Sequence, residues 1–212
     1  MEKKLLQNHT LAEFCAVTAG NDPVPGGGSV SALAGSIAAS LAEMVANLTV
    51  GRKKYAEVEE EMKEVAAKAK EVRAELLAAI DRDSDAYDLV SQAFKMPKET
   101  DEEKSARSAK IQEGTKIAAM VPMEVAKKTY ELIPFIEAVV KKGNQNAVTD
   151  GCIAMMNCRL GVIGAVLNVR INLGSIKDEA FVRELDEECE KLEKEITAIE
   201  HRILEYTYQA IK

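Results

Sequence analysis

A run of small, uncharged residues from Ser29 to Val50 limits the possible folds of this chain more than any other stretch. Alanine, serine and glycine lie on nearly every face of the helix that this run predicts, so the helix must be buried on all sides and its neighbours can approach closely. The run is long enough to span a membrane, but Glu43, the many serines and the scarcity of bulky apolar side chains argue against a span. We therefore expect a central helix of an α-helical bundle.

The segments around this run also carry helical patterns. Apolar residues recur at three- and four-residue steps, with Glu and Lys between them, and no strand pattern, linker or repeat of fixed period is present. The sequence thus predicts an all-α fold in which residues 1–212 form a single-domain bundle of long helices around two small-residue central helices. These two helices could pair within one chain or across a two-fold axis. The predicted helices after the first run span about Tyr55 to Phe94, Thr100 to Lys142 with a kink or restart at Pro122, Ala147 to Asn172 (the second small-residue helix) and Asp178 to Ile211.

Charge, cysteine and histidine content argue against several classes of protein. With Lys+Arg 28 and Asp+Glu 35, the formal net charge is −7, which disfavours nucleic acid as a partner. The four cysteines are scattered without a CxxC pair, and only two histidines are present. We therefore expect reduced thiols, no metal site, and neither a Ser-His nor a Cys-His triad. Because the first residues lack an apolar signal core, we also expect a cytoplasmic protein without a membrane partner.

Three consecutive glycines precede the first small-residue helix. A backbone without Cβ atoms can turn sharply and approach another group closely, and Ser29 is expected to cap the helix that follows. The positive end of that helix would favour an anionic or electron-rich ligand. Gly26, Gly27, Gly28 and Ser29 are therefore candidate ligand-binding residues, the alternative being a helix start with a disordered lead-in.

An acidic segment occurs towards the end of the first long helix. Asp81, Asp85 and Asp88 fall on one helical stripe at i, i+4 and i+7. Carboxylates this close raise one another's pKa in an enclosed site, which would supply a general acid or base near neutral pH. They could also bind the N–H groups of a 2-amino-4-oxo heterocycle, and a solvated acidic face is the structural alternative.

Other polar residues are also open to two interpretations. Glu43 could meet a ligand, or it could be paired structurally with Lys53 or an arginine. The polar residues before the second small-residue helix could bind a ligand or cap that helix, and those at its end could bind a carboxylate or offset the helix dipole. They are Asn144, Asn146 and Asp150 before it, and Asn168, Arg170 and Asn172 at its end.

Five segments occur in an order that resembles the cyclodeaminase/cyclohydrolase family of folate enzymes, and the resemblance covers nearly the whole chain. They are Pro23–Ala32, Asp81–Tyr87, Lys95–Lys98, Gly143–Asp150 and Leu167–Leu173. The resemblance implies an all-helical homodimer with its site near the subunit interface. It also implies a tetrahydrofolate substrate, with no cofactor beyond that folate.

The resemblance suggests roles for the candidate residues. Asp81, Asp85 and Glu43 would transfer protons or bind the pterin, and the glycine-rich turn would line the reacting region. Cations would bind the anionic glutamate tail of the folate. The substrate-binding set is Gly26, Gly27, Gly28, Ser29, Lys53, Lys54, Lys95, Asn144, Asn146, Asp150, Asn168 and Arg170.

Two activities of this family remain open at this point. A methenyltetrahydrofolate cyclohydrolase is favoured, because the chain shows no formiminotransferase partner domain and the stretch from Lys95 onwards looks like that of stand-alone cyclohydrolases. The alternative is a formiminotetrahydrofolate cyclodeaminase that releases ammonia. A third hypothesis is a non-catalytic helical adaptor, in which the glycine-rich turn and the aspartates would not converge on one pocket.

Overall fold

Seven α-helices form a bundle across residues 4–212, the part of the chain that the computed structural model describes. No β-strand occurs in this range, and the predicted all-α bundle is confirmed. The helices are α1 (Leu11–Thr18), α2 (Gly27–Asn47), α3 (Glu59–Phe94), α4 (Asp101–Tyr130), α5 (Ile133–Lys142), α6 (Val148–Leu173) and α7 (Glu179–Ala210), with 3-10 turns at Leu6–Asn8, Lys53–Val58 and Gln145–Ala147.

Local sequence signals set the starts of α1 and α4. The Thr10 and Thr100 side chains each accept a hydrogen bond from the main-chain N–H of the third helical residue, Glu13 or Glu103. The carboxylate of that glutamate in turn accepts a hydrogen bond from the main-chain N–H of the threonine. These reciprocal bonds satisfy main-chain donors that a helix leaves unpaired at its start. Pro122 lies inside α4 and does not end it.

Two other helix starts differ from prediction. Gly26, with an extended backbone, precedes α2, so Gly27 and Ser29 lie within the first helical turn. The prediction that Ser29 caps this helix is therefore wrong, because its hydroxyl points inward to another helix. The long helix predicted from Tyr55 begins at Glu59, since Tyr55 has a non-helical backbone within the preceding 3-10 turn.

The two small-residue helices, α2 and α6, pack against each other within the chain. A Cβ on Gly161 would lie 3.1 Å from both Gly35 N and Ser31 O, so glycine is what lets the two backbones approach this closely. The start of α6 lies beside the end of α2, and the two helices are therefore antiparallel. Helix α3 packs along α2, α7 packs along α6, and α4 contacts both central helices.

Both central helices also carry exposed apolar side chains. By length and composition alone, α2 and the segment Gln145–Leu173 could cross a membrane, but 61% and 50% of their apolar windows are buried inside the structure. Core helices of proteins outside membranes have the same character, and burial to this degree favours packing within the bundle. We call their exposed surface the outer α2–α6 face. Its large apolar residues are Val30, Ile37 and Met44 on α2 and Ile153, Met156, Leu160, Leu167 and Ile171 on α6.

Candidate active site

Three helices converge at the first turn of α2. The Ser29 hydroxyl lies 3.0 Å from Oδ2 of Asp83 on α3, and a Cβ on Gly28 would overlap with the same carboxylate. A Cβ on Gly27 would lie 3.0 Å from Nδ2 of Asn168 on α6. The glycine-rich turn thus meets the acidic segment, as the sequence led us to expect, but the aspartate that reaches it is Asp83.

Sequence reasoning missed Asp83 because the stripe at i, i+4 and i+7 excludes it. A different signal identifies it. The buried side of α3 includes Val72, Leu76 and Ile80, and continuing that three- and four-residue spacing leads to position 83. An aspartate in line with the apolar stripe of a helix must be buried, and a buried carboxylate needs a specific role or partner.

Burial raises the pKa of Asp83 above its ordinary value, while hydrogen bonds from the side chain and main chain of Ser29 act in the opposite direction. The start of α2 adds the positive end of a helix dipole, which favours the ionised form. Burial is the larger of these influences, so Asp83 keeps its proton to a higher pH than an exposed aspartate does. A carboxyl group whose pKa is raised in this way is better suited to general acid–base catalysis at neutral pH than an unperturbed one.

Ser29 can serve both protonation states of Asp83. Its Oγ also lies 3.0 Å from the carbonyl oxygen of Ile80. When Asp83 is ionised, the Ser29 hydroxyl can donate a hydrogen bond to it. When Asp83 is protonated, the hydroxyl can accept a hydrogen bond from the carboxyl O–H and donate its own to the Ile80 carbonyl instead. Asp83 can therefore be protonated and deprotonated without leaving the Ser29 hydroxyl or the carboxyl group without a hydrogen-bond partner.

A cleft of about 620 Å³ lies next to this cluster along the chain, since Ser84, Pro23 and Val24 line it although Asp83 and Ser29 do not. Ligand pockets commonly fall between about 300 and 1,000 Å³, so a pterin ring system fits within this volume. We call it the N-terminal cleft. Its lining includes Leu6 and His9 near the chain start, Pro23 and Val24 before α2, and Ser84, Tyr87, Asp88 and Ser91 on α3.

The residues of the predicted acidic stripe have different surroundings. Both carboxylate oxygens of Asp81 accept main-chain hydrogen bonds, Oδ1 from Leu6 at 2.6 Å and Oδ2 from Gln7 at 3.2 Å. Asp85 is exposed on α3, and Asp88 is half-buried. The catalytic roles suggested for Asp81 and Asp85 stay predictions, while Asp83 is the carboxylate that contacts the glycine-rich turn.

Glu43 is paired within the bundle. Its Oε2 lies 3.0 Å from Nη2 of Arg73 on α3, and the Glu43 side chain is 19% exposed. This ion pair corresponds to the structural alternative that the sequence left open, an arginine partner. Glu43 also lies about 20 Å along α2 from Ser29, which separates it from the Asp83 cluster within one chain.

A second group of predicted residues lies at the opposite end of α2. The main-chain N–H of Asn144 donates to Thr49 Oγ1 at 2.8 Å and its side chain donates to the Leu48 carbonyl at 3.1 Å, so Asn144 satisfies the end of α2. Because α2 has 21 residues, this end lies about 30 Å from the Asp83 cluster. The residues of this group are Asn144, Asn146, Asp150, Lys53 and Lys54.

The remaining predicted residues are divided. Asn168 lies against the glycine-rich turn and donates to the Gly164 carbonyl at 2.8 Å. Arg170 is directed to α7, where it bonds to Asp186 at 3.1 Å and Glu193 at 2.8 Å. Lys95 is exposed just after α3, about 18 Å beyond Asp83 along the helix axis.

Comparison with known proteins shows similarity to several enzymes whose names refer to tetrahydrofolate or formimidoyl transfer. A family model described as formiminotransferase-cyclodeaminase matches residues 10–191. The methenyltetrahydrofolate cyclohydrolase of Methylorubrum extorquens is 41% identical over 198 residues, which cover 93% of this chain and 95% of that protein. The formimidoyltransferase-cyclodeaminase of Mus musculus is 32% identical over 180 residues, covering 85% of this chain but only 33% of the mouse protein.

A solved structure extends the likeness to three dimensions. The crystal structure of formiminotetrahydrofolate cyclodeaminase from Thermotoga maritima has a TM-score of 0.87 and 32% sequence identity. The match covers 98% of this chain and 100% of the Thermotoga chain. This chain therefore belongs to the formiminotransferase-cyclodeaminase family.

Proposed function

We propose that this protein is a methenyltetrahydrofolate cyclohydrolase, an enzyme of folate one-carbon metabolism that converts 5,10-methenyltetrahydrofolate to 10-formyltetrahydrofolate. The observation that carries the proposal is the half-buried Asp83 carboxylate, which contacts Ser29 at the start of α2 and directly precedes Ser84 in the lining of a cleft of pterin size. The likeness to the Methylorubrum cyclohydrolase, which spans nearly the full length of both proteins, supports this activity over others in the family.

The reaction needs a base and then an acid at one place. The methenyl carbon between N5 and N10 is cationic, so ionised Asp83 favours it electrostatically and accepts a proton from the water that attacks it. A C–O bond forms and a neutral hydroxyl adduct results. Asp83 then returns its proton to N5 as the C–N5 bond breaks with its electrons going to N5. The adduct hydroxyl loses its proton to solvent as the formyl C=O forms, so the net reaction consumes one water and releases one proton.

A second activity has a specific observation in its favour. The Thermotoga structure whose whole chain is matched here is named a formiminotetrahydrofolate cyclodeaminase. In that reaction N10 attacks the formimino carbon and ammonia leaves, which requires a proton donor to the departing nitrogen. Protonated Asp83, whose pKa is raised by burial, could be that donor. One constellation thus suits both reactions.

The two substrates separate these activities. Purified protein is given 5,10-methenyltetrahydrofolate and, separately, 5-formiminotetrahydrofolate, while methenyl absorbance and ammonia are measured. Turnover of the first alone supports the cyclohydrolase. Ammonia release from the second supports the cyclodeaminase, and no reaction with either supports a non-catalytic adaptor.

We also propose that the protein is a homodimer formed through the outer α2–α6 face. This face is apolar along both helices, and a second copy of the same face would bury it by two-fold pairing. If the helices of the two subunits run antiparallel, the end of α2 with Lys53 and Lys54 would approach the Asp83 end of the other subunit. That arrangement would unite the two groups of predicted residues that one chain keeps about 30 Å apart.

A further inference from the structure

Residues 4–9, which we call the N-terminal strap, are hydrogen-bonded to α3 through the Asp81 side chain. Asp81 accepts from the main-chain N–H groups of Leu6 and Gln7, one with each carboxylate oxygen. The Leu6 side chain is only 7% exposed and packs in the core. A carboxylate that binds two consecutive N–H groups fixes both the position and the orientation of the strap.

The strap forms one wall of the N-terminal cleft. Successive residues of a helix point about 100° apart, so the directions of the α3 residues in the cleft lining fall between those of Asp83 and Asp81. The cleft is therefore bounded on the Asp83 side by Pro23 and Val24, which precede the glycine-rich turn, and on the Asp81 side by the strap. The α3 residues in question are Ser84, Tyr87, Asp88 and Ser91.

His9 in this wall has an unmet hydrogen-bonding requirement. Its Nδ1 is buried and has no hydrogen-bond partner among the residues that the structure describes, and the residue lines the cleft. Because Nδ1 has no partner, no hydrogen bond fixes the tautomer of the imidazole. The part of the ring that faces the cleft can therefore either donate a hydrogen bond to a ligand or accept one from it.

The charges around the cleft indicate which part of a folate fits there. Asp22 lines it, and Lys4, which also lines it, is paired with Glu13 at 2.8 Å. Among the described residues, the lining therefore offers the anionic glutamate tail no unpaired cation. It suits a neutral ring with an amide-like edge, whose N–H and C=O groups can bond to imidazole and to a carboxylate.

We propose that the N-terminal strap binds the amide edge of the reduced pterin ring through His9, and that Asp81 is a positioning residue that holds the strap in place. This inference rests on the proposed function, because it takes a reduced folate as the substrate. With the reacting carbon at Asp83, the pterin ring extends into the adjoining cleft. The tail then leaves in the opposite direction.

The test compares His9→Ala and Asp81→Asn with matched controls, His201→Ala on α7 and Asp101→Asn on α4, which are both exposed and outside the lining of the cleft. We expect KM for 5,10-methenyltetrahydrofolate to rise roughly tenfold in both test variants, the loss expected for one neutral hydrogen bond, with kcat changed far less. Binding of 6-methyltetrahydropterin, which lacks the benzoylglutamate tail, should weaken by a similar factor. Hydrogen exchange at residues 4–9 should accelerate in Asp81→Asn alone, and the controls should match the wild type.

The outcomes distinguish this inference from the proposed function. If the wild type is active and both variants keep its KM and its affinity for the pterin fragment, the proposed role of the strap is wrong. The proposed function is then unaffected. A fall in kcat alone in His9→Ala also overturns it, because His9 would then act in chemistry and not in binding. If the wild type acts on neither folate, the proposed function fails, and binding of the pterin fragment alone then decides for or against the strap.

Discussion

The carboxylate of Asp83 and the hydroxyl of Ser29 are 3.0 Å apart and join α3 to the first turn of α2. A Cβ at Gly28 would overlap with that carboxylate. Gly28 therefore lets the Asp83 carboxylate approach the backbone of α2, and Ser29 supplies a hydrogen bond to it. The positive end of the helix dipole favours the ionised form of Asp83. The first turn of α2 thus influences the pKa of one half-buried carboxylate.

Replacing Asp83 by Asn should remove catalysis and preserve the fold. Asn has nearly the same size but neither accepts nor returns a proton, and positioned acid–base groups contribute about 10²- to 10⁴-fold in rate. We expect kcat for methenyl hydrolysis to fall within that range, with an unchanged circular dichroism spectrum. Asp101→Asn, which removes an exposed aspartate on α4, is the control. Wild-type activity in Asp83→Asn would exclude Asp83 from the mechanism.

The raised pKa of Asp83 predicts a particular dependence of stability on pH. Its ordinary pKa is 3.8 and burial raises the folded-state value, so between these two values the folded state holds a proton that the unfolded state has lost. The contribution of Asp83 to the free energy of unfolding is then complete below pH 3.8 and is lost as pH rises through the folded pKa. Between the unfolded and folded pKa values, the loss is about 1.4 kcal/mol for each pH unit. Urea unfolding of wild type and Asp83→Asn from pH 3.5 to 8 should show the wild type losing stability relative to the variant. A difference that is constant with pH would contradict the raised pKa.

Replacing Ser29 by Ala should move the pH dependence of activity. The carboxylate of Asp83 would lose its hydroxyl donor and keep its burial, so its pKa would rise further. We expect the rising limb of kcat/KM against pH to shift to higher pH. Ser36→Ala is a matched control, because Ser36 is also buried on α2 but donates to the Leu33 carbonyl within its own helix. Equal pH profiles for the two variants would show that the Ser29 contact does not influence catalysis.

A methyl group at Gly28 should displace the Asp83 carboxylate. We expect Gly28→Ala to lower kcat/KM at least tenfold, since small displacements of a catalytic group are costly. Gly174→Ala, where a Cβ would meet only the Ile171 carbonyl at 4.0 Å, should retain full activity. The double variant Gly28→Ala with Asp83→Asn should be no less active than Asp83→Asn, because both changes act on one group. An additive loss would mean that Gly28 acts through something other than Asp83.

The helices were predictable because their signals are local. The capping boxes at Thr10 and Thr100 lie within four residues, and a run of small residues requires burial whatever surrounds it. The same signals could not define the start of α2. Ser29 is a suitable cap by residue type, but packing against α3 draws its hydroxyl inward and the helix begins at Gly27.

The candidate site was only partly predictable because it depends on which face of α3 packs on α2. Spacing selected Asp81, which bonds to the strap, whereas Asp83 is the residue that contacts Ser29 on α2. Family resemblance orders its motifs along the chain but gives no distances between them. Asn144 could therefore be grouped with Gly26 although α2 separates them by about 30 Å.

The exposed apolar residues of the outer α2–α6 face predict that two copies of the chain dimerise there, and that a charge introduced into this face prevents dimerisation. Leu160 is 53% exposed on α6. A glutamate at this position would place a charge in an apolar interface. If the position lies near the two-fold axis, the glutamates of the two subunits would also repel each other. We expect wild type to be dimeric and Leu160→Glu monomeric by light scattering, with lower activity if the site needs both subunits. Tyr208→Glu is the control, because Tyr208 is 57% exposed on α7, outside this face. A Leu160→Glu variant that remains dimeric would contradict the assignment of this face to the dimer interface. A monomeric wild type would contradict it too, and Lys53 and Asp83 would then also be separated in solution.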